Sequence, residues 1–303
     1  MSLFNFMVSK SIMHVPAPIV HYFAKDYVAG PSLDDAVNLG RELSQKGIAT
    51  TLDILGEYIT EKEQALPFKE ECMTILETIK RENLDANLSV KPTQMGLLLD
   101  QEYAYHTLRD IVAKGSELDI FIRIDMENTE SLRGTLDIYR RLRDEFPEHV
   151  GTAIQSYMRS SYDDVEALSD KHMNLRLVKG IFLVKRRYAW KDPELITANF
   201  VELLDQMLRH GAYVGIATHD EKLYFAAQKL IRKYGLRREQ YEFQMLLGVD
   251  PELRDLIVAE GHRLRIYIPY GEKWLGYSRR RLLENPNIAR AALGQILRGQ
   301  KGN

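Results

Sequence analysis

One cysteine among 303 residues leaves no partner for an intrachain disulfide, so the fold must hold together without cross-links. That residue, Cys72, lies in an apolar-periodic stretch and reads as a packed core thiol; its isolation fits a reducing compartment. No run of about 18 apolar residues occurs, so no segment is expected to span a bilayer. The apolar start, MSLFNFMVSKSIMHVPAPIVHYFA, is broken by Lys10, His14, Pro16 and Pro18 and has no basic leader. It is expected to be a helix covering one end of the domain rather than a cleaved signal, with a peripheral membrane contact as the second reading. The eight histidines are scattered, without His-x-His or His-Glu-x-x-His spacing, so no metal site is expected. A G-x-G-x-x-G turn after the first strand is also missing, which weakens a Rossmann reading. A net charge of −2 and the lack of like-charge blocks argue against nucleic acid as a partner. No linker rich in Pro, Gly or Ser divides the chain.

What is present is a rhythm. With 45% hydrophobic and 28% charged residues there is ample material for a core. β-rich runs occur at Ile48–Leu55, Ala86–Lys91, Asp119–Met126, Gly151–Tyr157, Leu175–Ile181, Tyr213–Thr218, Tyr241–Leu247 and Leu264–Pro269. Nearly every one is followed by a segment of helical size. Strands that alternate with helices pair in parallel, because parallel neighbours need a crossover connection. About eight such units match the size of a (βα)8 barrel, with an open doubly wound sheet as the competitor. A helix starting near Ser32, a plausible N-cap, and ending at Gly47 precedes the first strand. Residues 1–46 therefore read as a helical lead-in and 47–303 as the barrel.

A barrel builds its site at the carboxyl ends of its strands. Lys91, Asp125, Gln155, Lys179, Thr218, His219, Gln244 and Tyr267 cluster there. Arg176 lies inside a strand, sharing a face with Val178 and Gly180. If it points inward it needs a strongly accepting partner, since an unpaired buried charge is prohibitive; otherwise it points outward into a helix contact. In the stretch LGYSRRRLLENPN, helical spacing puts Tyr277, Arg280, Arg281 and Glu284 on one face. Paired guanidinium groups beside a tyrosine can clamp a carboxylate, and the same pattern can equally be a solvated charged face.

These residues lie in stretches that resemble the proline dehydrogenase family. Tyr277 to Glu284 is similar to its last helix, and SVKPTQMGL from Ser89, RIDMENT from Arg123, AIQSYMRSS from Ala153, LRLVKGIF from Leu175, IATHDE from Ile216, YEFQMLLGV from Tyr241 and RIYIPYG from Arg265 follow its order. The resemblance implies an α/β fold, a distorted (βα)8 TIM-like barrel with noncovalent FAD. It implies oxidation of L-proline to Δ1-pyrroline-5-carboxylate by hydride transfer to flavin N5, with electrons passed to a quinone acceptor. The length is similar to the short monofunctional bacterial type, for which a separate pyrroline-5-carboxylate dehydrogenase takes the next step. A cytoplasmic enzyme touching the inner face of the membrane is implied, with the apolar N-terminus or the C-terminal NIARAALGQILRG as candidate contacts.

By the same resemblance, Lys91, Arg280 and Arg281 would hold the substrate carboxylate, and Tyr267 and Tyr277 would wall the pocket. Asp125 would orient the cations, and Arg176 would sit near flavin N5. Met126, Gln155 and the turn Lys179–Gly180–Ile181 would contact flavin and ribityl. Thr218, His219 and Gln244 would serve the rest of FAD, and Glu284 the ribityl hydroxyls. Tyr267 fits enzymes acting on proline rather than on 4-hydroxyproline. One departure stands out: many relatives carry Ala-Tyr after LVKG, where this chain has Ile181 and Phe182. The competing reading is a barrel lyase or aldolase using Lys91 or Lys179 as a Schiff base. A binding protein that has kept only the barrel would be expected to have lost part of the charged set.

Overall fold

The computed structural model describes residues 20, 26–56, 59–182 and 184–284, the last five by backbone alone. The apolar N-terminal stretch, the NIARAALGQILRG segment and the side chains of Arg280, Arg281 and Glu284 lie outside the described residues.

Eight parallel strands close into a barrel in chain order: β1 (Ala49–Ile54), β2 (Ala86–Val90), β3 (Ile122–Ile124), β4 (Val150–Gln155), β5 (Asn174–Val178), β6 (Tyr213–Ala217), β7 (Tyr241–Leu246) and β8 (Leu264–Tyr270). Each expected strand is found, and β8 returns to pair with β1. The helices are α1 (Leu33–Ser44), α2 (Ala65–Arg81), α3 (Gln101–Leu118), α4 (Leu132–Glu145), α5 (Ser161–Glu166), α6 (Pro193–Arg209), α7 (Glu221–Tyr234), α8 (Pro251–Ala259) and α9 (Trp274–Glu284). Ser32 caps α1 in a reciprocal box with Asp35, satisfying backbone donors that the first turn leaves open. Asp100, Asp192, Asp220 and Asp250 cap α3, α6, α7 and α8 in the same spirit, each accepting a backbone N–H. α1 precedes the first strand, yet it packs over the seam between β1 and β8.

The strands are buried on both faces, but the faces differ in chemistry. Leu52, Leu88, Ile122, Ile154, Leu175, Leu177, Val214, Ile216, Phe243 and Ile266 are buried beneath the helices. Burying each such side chain contributes about 1.5–3 kcal/mol. The alternate positions, Asp53, Ser89, Arg123, Arg176, Glu242, Gln244, Arg265 and Tyr267, face the barrel axis. That polar interior departs from the branched aliphatic layers usual in such barrels. It fills the centre with charge that must be paired, and the pairing locates the site.

Candidate active site

Side chains on non-neighbouring strands can bond only through the barrel interior. Arg176 on β5 donates from Nη1 to Asp125 Oδ1 at 2.6 Å and from Nε to Gln244 Oε1 on β7 at 2.6 Å. Each bond skips a strand. Of the two orientations open to Arg176, the inward one is therefore observed. Asp125, directly after β3, also accepts from Ser89 Oγ at 2.7 Å and from the Tyr267 hydroxyl at 2.8 Å. Tyr267 comes from β8, so one carboxylate ties three other strands together. The Arg176 guanidinium stands 5.2 Å from the centre of the Tyr267 ring, within cation–π range. Burial, and then the charge of Asp125, hold the Tyr267 phenol well above its ordinary pKa, so it remains a donor.

Lys91 follows β2 and forms an ion pair with Asp53 of β1. Burial pushes the Asp53 carboxyl up to about 6 against the pull of Lys91, with Asp125 adding to the rise. Burial by itself would lower the Lys91 pKa, but Asp53 and Asp125 outweigh it and the ammonium is held above its ordinary value.

Below this layer the interior stays charged. Gln244 Nε2 donates to Glu242 Oε1 at 2.6 Å, and Arg265 Nε donates to the same oxygen at 2.8 Å. Burial alone would raise the Glu242 pKa, yet Arg265, Gln244 and Arg263 bring it down to about 2. Gln244 is therefore spent on both ends, bracing Arg176 from beneath. Its room comes from Gly215 on β6, where a Cβ would stand 2.5 Å from Gln244 Nε2.

The remaining expected residues form two further groups. Gln155 Nε2 donates to the carbonyls of Met126 and Glu127 at 3.3 and 3.1 Å, joining β4 to the loop after β3. Lys179 pairs with Asp220 at 2.7 Å, Asp220 N–H donates to Thr218 Oγ1 at 3.0 Å, and Leu246 N–H donates to His219 Nε2 at 2.8 Å. Gly180 has φ +102°, and a Cβ there would meet the Tyr157 ring at 2.3 Å. Only glycine lets this turn lie on that ring. Ile181 is exposed beside it, and Tyr277 is buried on α9.

Asp53, Ser89, Glu242 and Arg265 belong to the interior network although sequence reasoning passed over them. Their signal was the one used for Arg176: a polar or charged residue at period two within an apolar run, as in TLDIL, YEFQ and RIYIP.

Comparison with known proteins places the chain in a family. A family described as proline dehydrogenase matches residues 36–292. Proline dehydrogenase 1 of Bacillus subtilis subsp. natto is 36% identical over 275 residues, covering 91% of this chain and 91% of the relative. Proline dehydrogenase of Deinococcus radiodurans is 34% identical over 280 residues, covering 91% of this chain and 90% of its own. Among solved structures, proline utilization A (PutA) from Bdellovibrio bacteriovorus, inactivated by N-propargylglycine, superposes with a TM-score of 0.82 at 25% identity over 87% of this chain. The chain spans 32% of that larger protein.

Proposed function

Because the chain belongs to the proline dehydrogenase family and is an enzyme of proline catabolism, we propose that it oxidises L-proline to Δ1-pyrroline-5-carboxylate with noncovalent FAD held at the carboxyl end of the barrel, and passes the electrons to a quinone-type acceptor. The observation that carries this reading is the Asp125–Arg176–Gln244 chain across the barrel mouth, with Tyr267 and the Lys91–Asp53 pair beside it.

The donor set suits a flavin nucleotide. The Gly180 turn offers backbone that a side chain would block, flanked by the Lys179 ammonium and the apolar Ile181. Arg176, Met126, Gln155, Thr218 and His219 line the same end of the strands, and Glu284 would join them from α9. Gln244 would act from beneath, through Arg176. FAD bound there supplies the acceptor for the hydride that leaves the carbon beside the ring nitrogen.

The chain's own residues supply binding and orientation. Lys91, Arg280 and Arg281 would hold the substrate carboxylate, and Tyr267 and Tyr277 would wall the ring. Loss of the hydride leaves an iminium, so the ring nitrogen must first shed its extra proton. Cations around the carboxylate favour that loss by disfavouring a second positive charge nearby. Fixing the ring in one pose can contribute up to about 7–11 kcal/mol. Tyr267, anchored on Asp125, would set the shape of the ring pocket.

The Schiff-base alternative needs a lysine whose pKa is depressed, so that a free amine is available. Lys91 is shifted the other way, and Lys179 is engaged by Asp220. The steady-state test is Arg281→Met. The clamp requires KM for proline to rise at least about tenfold, the loss of roughly one charge-assisted bidentate contact; an unchanged KM would refute it.

A further inference from the structure

Glu127 is a buried carboxylate, 3% exposed, that the chemistry proposed above does not use. Its printed partners are the two donors of Thr93, and among the described residues it forms no ion pair. Burial pushes its carboxyl up to about 6, against the pull of the Thr93 donors and of Lys91. A charge is unfavourable to bury on such terms unless its bonds hold something in place.

What it holds is the turn behind Lys91. In the run RIDME, Glu127 follows Asp125 by two positions, just past the end of β3. Thr93 N–H donates to Glu127 Oε2 at 2.9 Å, and Thr93 Oγ1 donates to Oε1 at 2.6 Å. Thr93 belongs to the short 3-10 turn Pro92–Met95, whose four residues are all buried. On the other side, Gln94 Nε2 donates to the carbonyls of Ile54 and Gly56 at 3.3 and 2.8 Å. The turn is thus fastened to the end of β1 and to the loop after β3. Pro92 keeps the Lys91 backbone extended, at φ −104° and ψ 120°. Gln94 N–H donates to the Lys91 carbonyl at 3.0 Å. A shift of the turn therefore carries Lys91 with it, away from Asp53.

We propose that Glu127 is a positioning residue: by gripping Thr93 from the loop after β3, it sets where the Lys91 ammonium stands at the barrel mouth. A carboxylate suits this role because it accepts from both Thr93 donors at once, and charge-assisted bonds are short and strong. Its charge also draws the Lys91 ammonium, adding to Asp53 and Asp125. The backbone carbonyl of Glu127 accepts from Gln155 Nε2 at 3.1 Å, so the same residue ties the Lys91 side of the mouth to β4. A glutamine can keep both contacts, accepting from the Thr93 N–H and donating to Thr93 Oγ1, so grip and charge are separable. The inference rests on the proposed function only in letting Lys91 meet the substrate carboxylate; the place of Lys91 is read without turnover.

The test uses the flavin-loaded full chain and two readouts. One is steady-state oxidation of L-proline; the other is lysine acetylation by acetic anhydride, followed by peptide mass spectrometry. In Glu127→Ala, KM should rise at least about tenfold while kcat stays within about threefold, the pattern of lost ground-state binding. Lys91 should be acetylated at least about fivefold faster, because an ammonium held less firmly beside Asp53 yields its free amine more readily. The exposed Lys46 and Lys171 should react at unchanged rates. Glu127→Gln should bring both readouts back to within about threefold of wild type. If Glu127→Ala does not fold, Thr93→Val loses only the hydroxyl bond and should raise KM about two- to fivefold, with faster Lys91 acetylation. Lys91 acetylation at the wild-type rate in these variants would overturn the inference. So would a fall in kcat and melting temperature with KM unmoved. A wild-type enzyme that does not oxidise proline would sink the proposed reaction alone, and Lys91 acetylation would then decide the role of Glu127 by itself.

Discussion

Arg176 and Asp125 meet 2.6 Å apart inside the barrel although the strand between theirs separates them in the sheet. The contact fixes a charge pair at the mouth and, through Gln244 and Tyr267, connects β3, β5, β7 and β8. Arg176→Met would leave the half-buried Asp125 with only the neutral hydroxyl donors of Ser89 and Tyr267. Breaking such a pair costs about 3–5 kcal/mol, so the urea midpoint should fall accordingly, and kcat for proline should drop at least about tenfold through lost preorganisation. A variant with wild-type stability and turnover would show the pair to be idle.

Asp53 acts through Lys91. Removing its charge by Asp53→Asn leaves the lysine with Asp125 as the larger remaining attraction against burial. The ammonium should then lose its proton at lower pH, moving the basic limb of the kcat/KM profile acidward. A merely structural role for Asp53 would lower activity without moving that limb.

Glu242 gives a stability prediction with a definite sign. Its folded pKa of about 2 lies below the ordinary 4.5. Its contribution is therefore present above pH 4.5 and is lost as pH falls toward 2. By linkage, about 2 kcal/mol should disappear between pH 5 and pH 3. The stability gap between wild type and Glu242→Gln, from urea unfolding, should close by that amount over the same range. A gap that stays constant would mean the carboxylate is not held ionised by Arg265.

Gly215→Ala tests the packing beneath Arg176. The new methyl would stand 2.5 Å from Gln244 Nε2, so that amide must swing away and release Arg176. Overpacking of this kind costs about 1–3 kcal/mol. Its effect on kcat should match that of Gln244→Ala, and the double variant should be no worse than either alone. Additive losses would place the two residues in separate roles.

The barrel was legible because its strands announce themselves as short runs at even spacing, separated by helix-sized segments that demand parallel pairing. All eight lie within a few residues of the expected runs. The mouth residues were legible for a related reason, since polar side chains at strand ends stand out against the apolar runs. Orientation was harder. Arg176 could have pointed either way until Asp125 and Gln244 were seen across the axis, because periodicity sets a face without saying which face is inside. Asp53, Glu242 and Arg265 escaped notice because a reader of sequence expects barrel interiors to be aliphatic. The partnership of Lys91 with Asp53, 38 positions apart, is set by the β1–β2 register, which no local pattern reveals.

The most direct measurement is the visible spectrum of the purified protein before and after addition of L-proline without oxygen. Flavin bands near about 380 and 450 nm that bleach on addition are expected if the cofactor carries the chemistry and proline is the donor. A protein that binds FAD but keeps its bands in the presence of proline, or one that cannot be reconstituted with FAD, would contradict the proposed reaction.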